Sequence, residues 1–498
     1  MSMTADRSAA AGGAAAGDAP RGTRERPLYA SVADPGRLAR FGDEIKAGDP
    51  AGWLGYPALL RRARAASGAR HAITTGDATV GGQPCVLVGF EFSFLGGSVG
   101  EAEGARIAAA FDRAVGRGLP VVSVAVSGGM RMQEGSSALV QMHVMAAAIA
   151  AARRAGIPHV AVAGDPTTGG VWASLVGSAD VIIGVARARV SFSGSRTRPG
   201  GADPDAAEFR AEGQRAGGFL DMIVPEERLR AEVAAVVRLL SPLTRGQATD
   251  TAPLLAAPAP TNTVPTNTVP TNTGPPGGAP EQGAPDHGAP DQQAWAQVSR
   301  ARMRRLPRAE QWLAAYFGRR FEIRGDRAGS VDPGLRCGFG SRGGVTIGYI
   351  AQTGQPTTAA GFRTATRLLD LAQRFGRPVL TLIDTPGAAS GPRDEAAGVG
   401  PAIAELLIAV ASATVPVTSV IVGEGVSGGA LALAAPGRLW LGADGYLAVT
   451  SPEHAASILK LPAGDAPRMA AQLRLTPADL VRAGIARGLL PGQPWEER

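Results

Sequence analysis

Residues 420–431 read Val-Ile-Val-Gly-Glu-Gly-Val-Ser-Gly-Gly-Ala-Leu, an apolar run that breaks into glycines and continues into Ala and Leu. The apolar run predicts a buried strand, and the Ala/Leu run that follows it predicts a helix. Glycines at the start of a helix leave the backbone N–H groups open to a ligand. The turn at Gly428 and Gly429 is therefore equipped to hold an oxyanion with backbone donors rather than with a charged side chain.

Strand-like runs that end in glycine turns occur at four places in the chain. The turn glycines are Gly128 and Gly129, Gly169 and Gly170, Gly387, and Gly428 and Gly429. Gly128 and Gly169 have the same spacing as Gly387 and Gly428, which gives an offset of 259 residues (387 minus 128) between the two pairs. An offset this long predicts two similar α/β domains rather than a solenoid.

Strand-like and helical runs alternate along the first half to about residue 190, which predicts parallel strands joined by crossover helices. Val80–Phe90 reads as a hairpin with a Gly-Gly turn. A further glycine turn, with Gly96 and Gly97, leads into a predicted helix from Glu101 to about Val115. The fold class expected for the chain is therefore α/β.

Residues 246–294 break this pattern with Thr-Asn-Thr-Val-Pro repeats and Gly-Ala-Pro triplets. A Pro-rich composition with nothing to bury predicts a semi-extended, disordered linker. Residues 1–29 are rich in Ala, Gly and Arg and have no apolar core of a signal peptide, which predicts a disordered tail. The two predicted domains are residues 30–245 and 295–498.

The charge balance excludes little by itself. The formal net charge is +7, and only Lys46 and Lys460 are lysines, so arginine supplies nearly all of the positive charge. A codon bias accounts for most of this excess, and binding of an acidic cofactor such as CoA is the functional interpretation. No basic run alternates with aromatic residues, which gives nucleic-acid binding little support.

The two cysteines, Cys85 and Cys337, lie in different predicted domains. They cannot build a disulfide framework or a four-cysteine zinc site, so we expect no bound metal and a reducing, cytoplasmic location. No apolar run reaches the roughly 18 residues that span a membrane.

Two short motifs in or near residues 420–431 resemble nucleotide-binding motifs but lack the context that those motifs require. Residues 423–428 fit the dinucleotide fingerprint, but that fingerprint normally opens its domain, and here it lies deep in the second half. Residues 384–387 read Asp-Thr-Pro-Gly, as in GTPases. A GTPase also needs a P-loop lysine followed by Ser or Thr, and neither Lys46 nor Lys460 has one.

A serine hydrolase is the more serious alternative. Gly425, Ser427 and Gly429 fit the Gly-x-Ser-x-Gly elbow, and Asp444 and His454 follow in hydrolase order. This triad would span only 27 residues (454 minus 427) and would leave the matching turns of the first half without a role. The oxyanion interpretation gives all the turns one purpose, but the hydrolase remains open.

Three titratable residues near the turns are interpreted as structural. His143 lies in a Met-rich helical run and reads as a packed core histidine. Glu134 and Glu424 sit beside glycine turns, where an acidic residue more often pairs locally than performs catalysis.

At this point the motifs show a resemblance to a known family. Three stretches of the first half resemble the β subunit of bacterial acetyl-CoA carboxylase carboxyltransferase: Phe92–Ser98, Ser127–Gly135 and Asp165–Val171. Four stretches of the second half resemble its α subunit: Phe321–Arg327, Ile383–Ala388, Gly423–Ala432 and Ser451–Leu459. The resemblance covers about residues 40–240 and 295–490, so the chain resembles a natural β-then-α fusion of the two subunits. It departs from the family in lacking the four-cysteine zinc ribbon of the β subunit.

The resemblance implies two ClpP/crotonase-like domains in tandem, joined by the linker. It implies transfer of a carboxyl group from carboxybiotin, carried by a partner protein, to an acyl-CoA, with acetyl-CoA the expected substrate and malonyl-CoA the product. The positions that match the family's oxyanion sites are Gly169 and Gly170 for the thioester and Gly428 and Gly429 for biotin. The positions that match its substrate-binding loops are Gly96, Gly97, Gly128, Gly129, Arg131 and Gly387.

The implied partners are a biotin carboxyl carrier protein, a biotin carboxylase and a second copy of the chain. Two alternatives to this family function stay open beside the hydrolase. One is another crotonase-type CoA enzyme, and the other is a non-catalytic scaffold of the carboxylase complex.

Overall fold

A computed structural model describes residues 26–194, 206–240, 290–303 and 309–490. The predicted tail and linker lie outside the described residues, except at residues 26–29 and 290–294. Residues 290–294 belong to a helix, so the second half begins within the segment that was predicted as linker.

The first half forms one mixed sheet, in which β2 and β3 are an antiparallel hairpin and β3 to β6 are parallel. Its strands are β1 (Ala39–Phe41), β2 (Ile73–Val80), β3 (Gln83–Phe90), β4 (Val121–Ser127), β5 (His159–Thr168), β6 (Val181–Val185), β7 (Val190–Ser191) and β8 (Met222–Val224). They run in the order β1-β2-β3-β4-β5-β6-β8, with β7 paired to the end of β5.

The second half repeats this arrangement in a separate sheet. Its strands are β9 (Arg319–Ile323), β10 (Leu335–Arg342), β11 (Val345–Gln352), β12 (Val379–Thr385), β13 (Val417–Val426), β14 (Leu439–Leu441) and β15 (Tyr446–Ala448). They run in the order β14-β13-β12-β11-β10-β9, with β15 paired to the end of β13. The predicted α/β class and the tandem of two similar units are confirmed.

Helices cover the sheets and connect their parallel strands. Those of the first half are α1 (Tyr29–Val32), α2 (Tyr56–Ser67), α3 (Glu101–Arg117), α4 (Gly135–Leu139), α5 (Gln141–Arg154), α6 (Gly169–Val171, continued by a π-helical turn, Trp172–Val176), α7 (Ala211–Ala216) and α8 (Leu229–Leu240). Those of the second half are α9 (Pro290–Ala301), α10 (Ala309–Tyr316), α11 (Ala359–Arg374), α12 (Pro392–Ala396), α13 (Val399–Ala411), α14 (Ser427–Leu431), α15 (Pro452–Ile458), α16 (Ala466–Gln472) and α17 (Pro477–Arg482).

The predicted Gly-Gly hairpin connects β2 and β3. Gly81 and Gly82 have φ of 54° and 78°, the pair of positive values that a two-residue type I′ turn requires. The turn sets the register of the hairpin, in which Val80 lies opposite Gln83. The same hairpin recurs as β10–β11 in the second half, where Arg342 lies opposite Val345.

Strand registers give the true offset between the two copies. Val121 of β4 lies opposite His159 of β5, and Val379 of β12 lies opposite Val417 of β13. Both positions recur 258 residues later (379 minus 121 and 417 minus 159), and both strand pairs shift register at the corresponding point near their carboxyl ends.

The predicted offset of 259 is therefore wrong by one residue. Gly169 corresponds to Ser427, and Gly170 corresponds to Gly428, because α6 and α14 begin at the first residue of each pair. The spacing of the glycines could not distinguish an offset of 258 from one of 259, because either of two adjacent glycines can be aligned with either member of the other pair.

A single apolar core joins the two halves. The main cluster of buried residues includes Trp172 and Met142 from the first half and Ile403 and Leu431 from the second. Helix α13 packs on α5 and on the π-helical turn. A Cβ at Gly400 of α13 would lie 2.3 Å from the Trp172 ring nitrogen, so glycine is what lets α13 approach this closely.

Within the described ranges, no single helix has the length and apolar composition needed to cross a membrane; one bent pair, Met132–Leu139 with Gln141–Arg154, meets that test only when taken together.

Candidate functional site

The turn from β5 into α6 forms the first candidate oxyanion site. Gly169 opens α6 with φ of 63°, a left-handed conformation that glycine adopts without strain. Its N–H donates to the Phe192 carbonyl oxygen at 3.1 Å. Gly170 follows in the first turn, where a helix offers no acceptor to a backbone N–H, and no other element of the described chain accepts from it. The two predicted glycines therefore differ: Gly169 shapes the turn, and Gly170 presents an open donor.

The turn from β13 into α14 repeats this geometry. Ser427 opens α14 with φ of 62°, matching the value at Gly169. Gly428 then takes the place of Gly170 in the first helical turn. The left-handed residue is thus a property of the turn in both halves, and in the second half it is Ser427.

A second loop supports each turn from the neighbouring strand. Gly129, with φ of 104°, donates its N–H to Ser127 Oγ at 3.0 Å, and Gly387, with φ of 130°, donates to Thr385 Oγ1 at 3.1 Å. A Cβ on Gly129 would lie 3.3 Å from the Gly169 Cα atom. These glycines let the loop lie directly against the helix start.

Gly429 and the Gly96–Gly97 loop are close-packing positions. A Cβ on Gly429 would lie 2.4 Å from the Ala388 nitrogen, so glycine here admits the loop that follows β12. A Cβ on Gly97 would lie 2.1 Å from the Val126 carbonyl oxygen. The Gly96 carbonyl accepts from the Gly128 N–H at 2.9 Å. The Gly96–Gly97 loop therefore braces the end of β4.

The two turns meet at one side chain, Met142 of α5. A Cβ on Gly170 would lie 2.6 Å from Met130 Cγ and 3.0 Å from the Met142 sulfur. A Cβ on Gly428 would lie 3.4 Å from the same Met142 sulfur and 3.0 Å from its methyl carbon. Met142 is fully buried. The first turn, from the β-like half, and the second, from the α-like half, thus both approach the Met142 side chain.

Phe192, which follows β7, is the second residue common to both turns. Its carbonyl accepts from Gly169, and its ring lies 3.7 Å from the position of a Cβ on Gly428. Sequence reasoning did not identify Met142 or Phe192 as site residues. The Met-rich run was visible but fits a core helix equally well, and nothing in the sequence indicates that Phe192 reaches residues more than 200 positions away.

Arg131 occupies a buried ionic network rather than a ligand-facing position. Its guanidinium lies 2.8 Å from Glu103 and 3.1 Å from Glu134 and donates to the Ser98 carbonyl oxygen. Tyr56 donates to the Glu134 carboxylate at 2.5 Å. Burial opposes the charge on Arg131, but the neighbouring Glu103, Tyr56 and Glu134 raise its pKa overall. The network fixes the segment between the Gly129 loop and α4.

Comparisons with known proteins identify the family of the chain. A family profile described as carboxyl transferase domain matches residues 35–276, and one described as acetyl co-enzyme A carboxylase carboxyltransferase-like matches residues 290–493. The acetyl-coenzyme A carboxylase carboxyl transferase subunits beta/alpha of Salinispora tropica is 36% identical over 484 residues, which cover 93% of this chain and 81% of the relative. The chain belongs to this carboxyl transferase family.

Other members and neighbours extend the comparison. The β/α carboxyl transferase of Saccharopolyspora erythraea is 35% identical over 483 residues, covering 92% of this chain and 79% of its own. Among solved structures, transcarboxylase 12S covers 94% of this chain and 87% of its own, at 20% identity and a TM-score of 0.38, too distant to bear on the assignment.

In this carboxyl transferase the hydrolase triad is not assembled. Asp444 pairs with Arg300 at 3.6 Å, and His454 is exposed on α15. Within the described residues, no hydrogen bond joins Ser427 to either of them. The strand–turn–helix backbone of an elbow is present, but the base and its orienting acid are not.

The residues interpreted as structural are paired in the carboxyl transferase. His143 Nε2 bonds to the Leu431 carbonyl oxygen at 2.9 Å, and burial lowers its pKa to about 4. Glu424 accepts from Arg302 and from the Tyr446 hydroxyl, each at 2.8 Å. Neutral His143 therefore connects α5 to α14 across the two halves. Glu424 is paired, but its cation, Arg302, lies 122 positions away in the sequence rather than nearby.

Both cysteines are buried free thiols, and burial raises the pKa of Cys85 to about 12. In the described part of the carboxyl transferase, no group of three or more His, Cys, Asp or Glu side chains is arranged to hold a metal ion.

Proposed function

We propose that the chain transfers a carboxyl group from carboxybiotin, presented on a biotin carboxyl carrier protein, to acetyl-CoA to give malonyl-CoA. The observation that carries this proposal is the meeting of two equivalent glycine turns at Met142. One turn comes from the half that resembles the acyl-CoA-binding subunit, and the other comes from the half that resembles the biotin-binding subunit. Carboxyl transfer develops negative charge on two oxygens, one on each substrate, and each turn can stabilise one of them.

Gly170 donates its backbone N–H to the thioester oxygen of the acyl-CoA. Negative charge develops on that oxygen when the α-carbon loses its proton, and a preorganised N–H there is worth about 3 kcal/mol in related oxyanion sites. Gly169 does not share this role directly. It donates to Phe192 and supplies the left-handed residue that turns the Gly170 N–H toward the ligand.

Gly428 plays the corresponding part for the ureido oxygen of biotin, with Ser427 in the place of Gly169. Carboxybiotin supplies the carboxyl group and, once that group has left, the base for the α-proton. This explains a site made of backbone donors and apolar walls, with Met142 and Phe192 keeping water out. The two cavities are shaped by Gly96, Gly97, Gly128, Gly129, Gly387 and Gly429. Arg131 supports the first cavity through its buried ion pairs.

The names of the relatives support acetyl-CoA as the acyl substrate. The resemblance supports a biotin carboxylase, the carrier protein and a second copy of the chain as partners, in the cytoplasm. Because both turns lie in one chain against Met142, pairing of the two halves does not require the second copy.

The proposed function is tested by the reverse reaction. The purified chain is incubated with malonyl-CoA and biocytin, and acetyl-CoA is measured over time. We expect acetyl-CoA to form only when biocytin is present, since biocytin accepts the carboxyl group. Binding of CoA thioesters without turnover would replace the proposal by a scaffold, and turnover that ignores biocytin would replace it by another CoA enzyme.

A further inference from the structure

Glu395 joins the two halves beside the proposed site. It lies on α12 in the second half and is 1% exposed. Its Oε2 accepts from the Phe192 N–H at 2.9 Å, and its Oε1 accepts from the Ser193 N–H at 2.7 Å and from the Ser193 hydroxyl at 2.9 Å. A side chain of the α-like half thus holds at least three donors from a two-residue segment of the β-like half.

The segment that Glu395 holds touches both glycine turns. The Phe192 carbonyl accepts from Gly169, and the Phe192 ring lies 3.7 Å from the position of a Cβ on Gly428. Any displacement of Phe192 therefore changes the first turn through a hydrogen bond and the second through a van der Waals contact. Among the residues that the structure describes, Phe192 alone is seen to combine a polar contact to one turn with an apolar contact to the other.

We propose that Glu395 is a positioning residue for carboxyl transfer, setting the spacing of the two oxyanion turns through Phe192. This inference rests on the proposed function. Glu395 does not touch the substrates in it; it acts through the Phe192–Ser193 segment. Because the carboxylate belongs to one half and the segment to the other, it also couples closure of the interface to assembly of the site.

The chemistry of the contacts favours a carboxylate at this position. The Phe192 N–H, the Ser193 N–H and the Ser193 hydroxyl are all donors, and an ionised carboxylate accepts at both oxygens. Hydrogen bonds to an ionised group are also roughly twice as strong as neutral ones. A glutamine of the same shape would turn an amide NH2 toward at least one N–H donor, and that contact would become repulsive.

The first test compares Glu395→Gln with the wild type and with Glu405→Gln, which changes an exposed carboxylate on α13. Biocytin-dependent turnover of malonyl-CoA is measured over a range of malonyl-CoA concentrations. We expect kcat to fall about 10- to 100-fold for Glu395→Gln, as for loss of a buried charge-assisted hydrogen bond. KM should change less than about 3-fold, because CoA contacts remain. An unchanged kcat, or an equal fall for Glu405→Gln, would overturn the proposal.

A second measurement does not depend on activity. Amide hydrogen exchange is followed by mass spectrometry in peptides that contain residues 168–172 and 190–194. In Glu395→Gln, both peptides should exchange faster than in the wild type, because the Gly169–Phe192 hydrogen bond is released. If the wild type shows no carboxyl transfer, the proposed function fails while this result still decides the role of Glu395. Unchanged exchange in residues 168–172 would refute it.

A double-mutant cycle with Phe192→Ala separates positioning from a general loss of stability. If Glu395 acts through Phe192, the kcat of the double variant should be about the same as that of the less active single variant. Two effects that multiply would show that the residues act independently, and the proposed coupling would be wrong. A Glu395→Gln variant that fails to fold is replaced in the cycle by Ser193→Ala, which removes one of the three contacts and should give a smaller fall of the same kind.

Discussion

The left-handed backbone of Ser427 fits two interpretations of the second turn, a nucleophile elbow and an oxyanion site. Its φ of 62° suits a nucleophile elbow, yet Gly169 has φ of 63° at the equivalent turn of the first half, where no hydroxyl exists. The backbone geometry therefore serves the residue that follows, Gly428, and needs no hydroxyl at position 427.

Ser427→Gly tests this interpretation directly. The change gives the second turn the residue that the first turn already has, so we expect carboxyl transfer to remain near the wild-type rate. Stability should not fall, because relief of left-handed strain offsets the greater freedom of glycine in the unfolded chain. A nucleophilic serine predicts instead a loss of about 10⁴-fold or more, and labelling of Ser427 by a fluorophosphonate would support that outcome.

Arg131 gives a residue-scale prediction about stability. Arg131→Met leaves Glu103 and Glu134 buried without their cation, which should lower the free energy of unfolding by about 3–5 kcal/mol. Arg113→Met is the matched control, because the Arg113–Asp77 pair is partly exposed and its loss should change the free energy of unfolding far less. Denaturant unfolding of the two variants measures the difference; equal losses would mean that Arg131 is free to serve a ligand.

Helix α5 is the element that brings the halves together. Met142 separates the two turns, and the adjacent His143 bonds to Leu431 of α14. Both residues belong to the Met-rich run, which the sequence predicts to be a core helix. The predicted burial of this helix is confirmed, but its contacts with the two turns were not predicted, because periodicity identifies an apolar face and not what packs against it.

The buried His143 predicts a pH dependence of stability. Burial lowers its pKa from 6.5 to about 4, so the neutral form stabilises the fold fully above pH 6.5, and this contribution is lost as the pH falls from 6.5 toward 4. The stability difference between the wild type and His143→Gln should therefore shrink by about 2 kcal/mol from pH 7 to pH 5. His159 is present in both proteins and cancels. A difference that stays constant across this range would contradict the assignment.

Local elements were predictable from the sequence where one short-range signal decided them. The Gly81–Gly82 hairpin is confirmed, and α3 begins at the predicted Glu101. The offset of the repeat was wrong because paired glycines are ambiguous by one residue. Phe192 and Glu395 could not be found, since their contact joins residues 203 positions apart and depends on how two sheets pack.

At the scale of the whole molecule, the two halves share one buried core. Trp172 and Met142 lie in the same cluster as Ile403 and Leu431, and Ser136 bonds to the Leu447 carbonyl oxygen across the halves at 2.9 Å. A core of this kind should hold the halves together without a covalent connection.

Separate expression of the halves tests this. Residues 26–245 and 286–498, produced as two polypeptides and mixed, should form a stable complex that recovers biocytin-dependent carboxyl transfer, because apolar surface left exposed in each half is buried on association. Size-exclusion chromatography with light scattering gives the mass. Halves that fold and stay apart would show that the shared core does not stabilise the pair, and each half alone should be inactive.

The central claim is that the two turns act together in one reaction, and paired substitutions test it most directly. Gly170→Val places a side chain against Met130 and Met142, and Gly428→Val places one against Met142. Gly116→Val adds a side chain on α3, where a Cβ has no atom within 4 Å. Biocytin-dependent conversion of malonyl-CoA to acetyl-CoA is measured for all three, at matched folded concentration. We predict a fall of about 10²-fold or more for each of the first two and little change for the third. Wild-type turnover in either Gly170→Val or Gly428→Val would contradict the account.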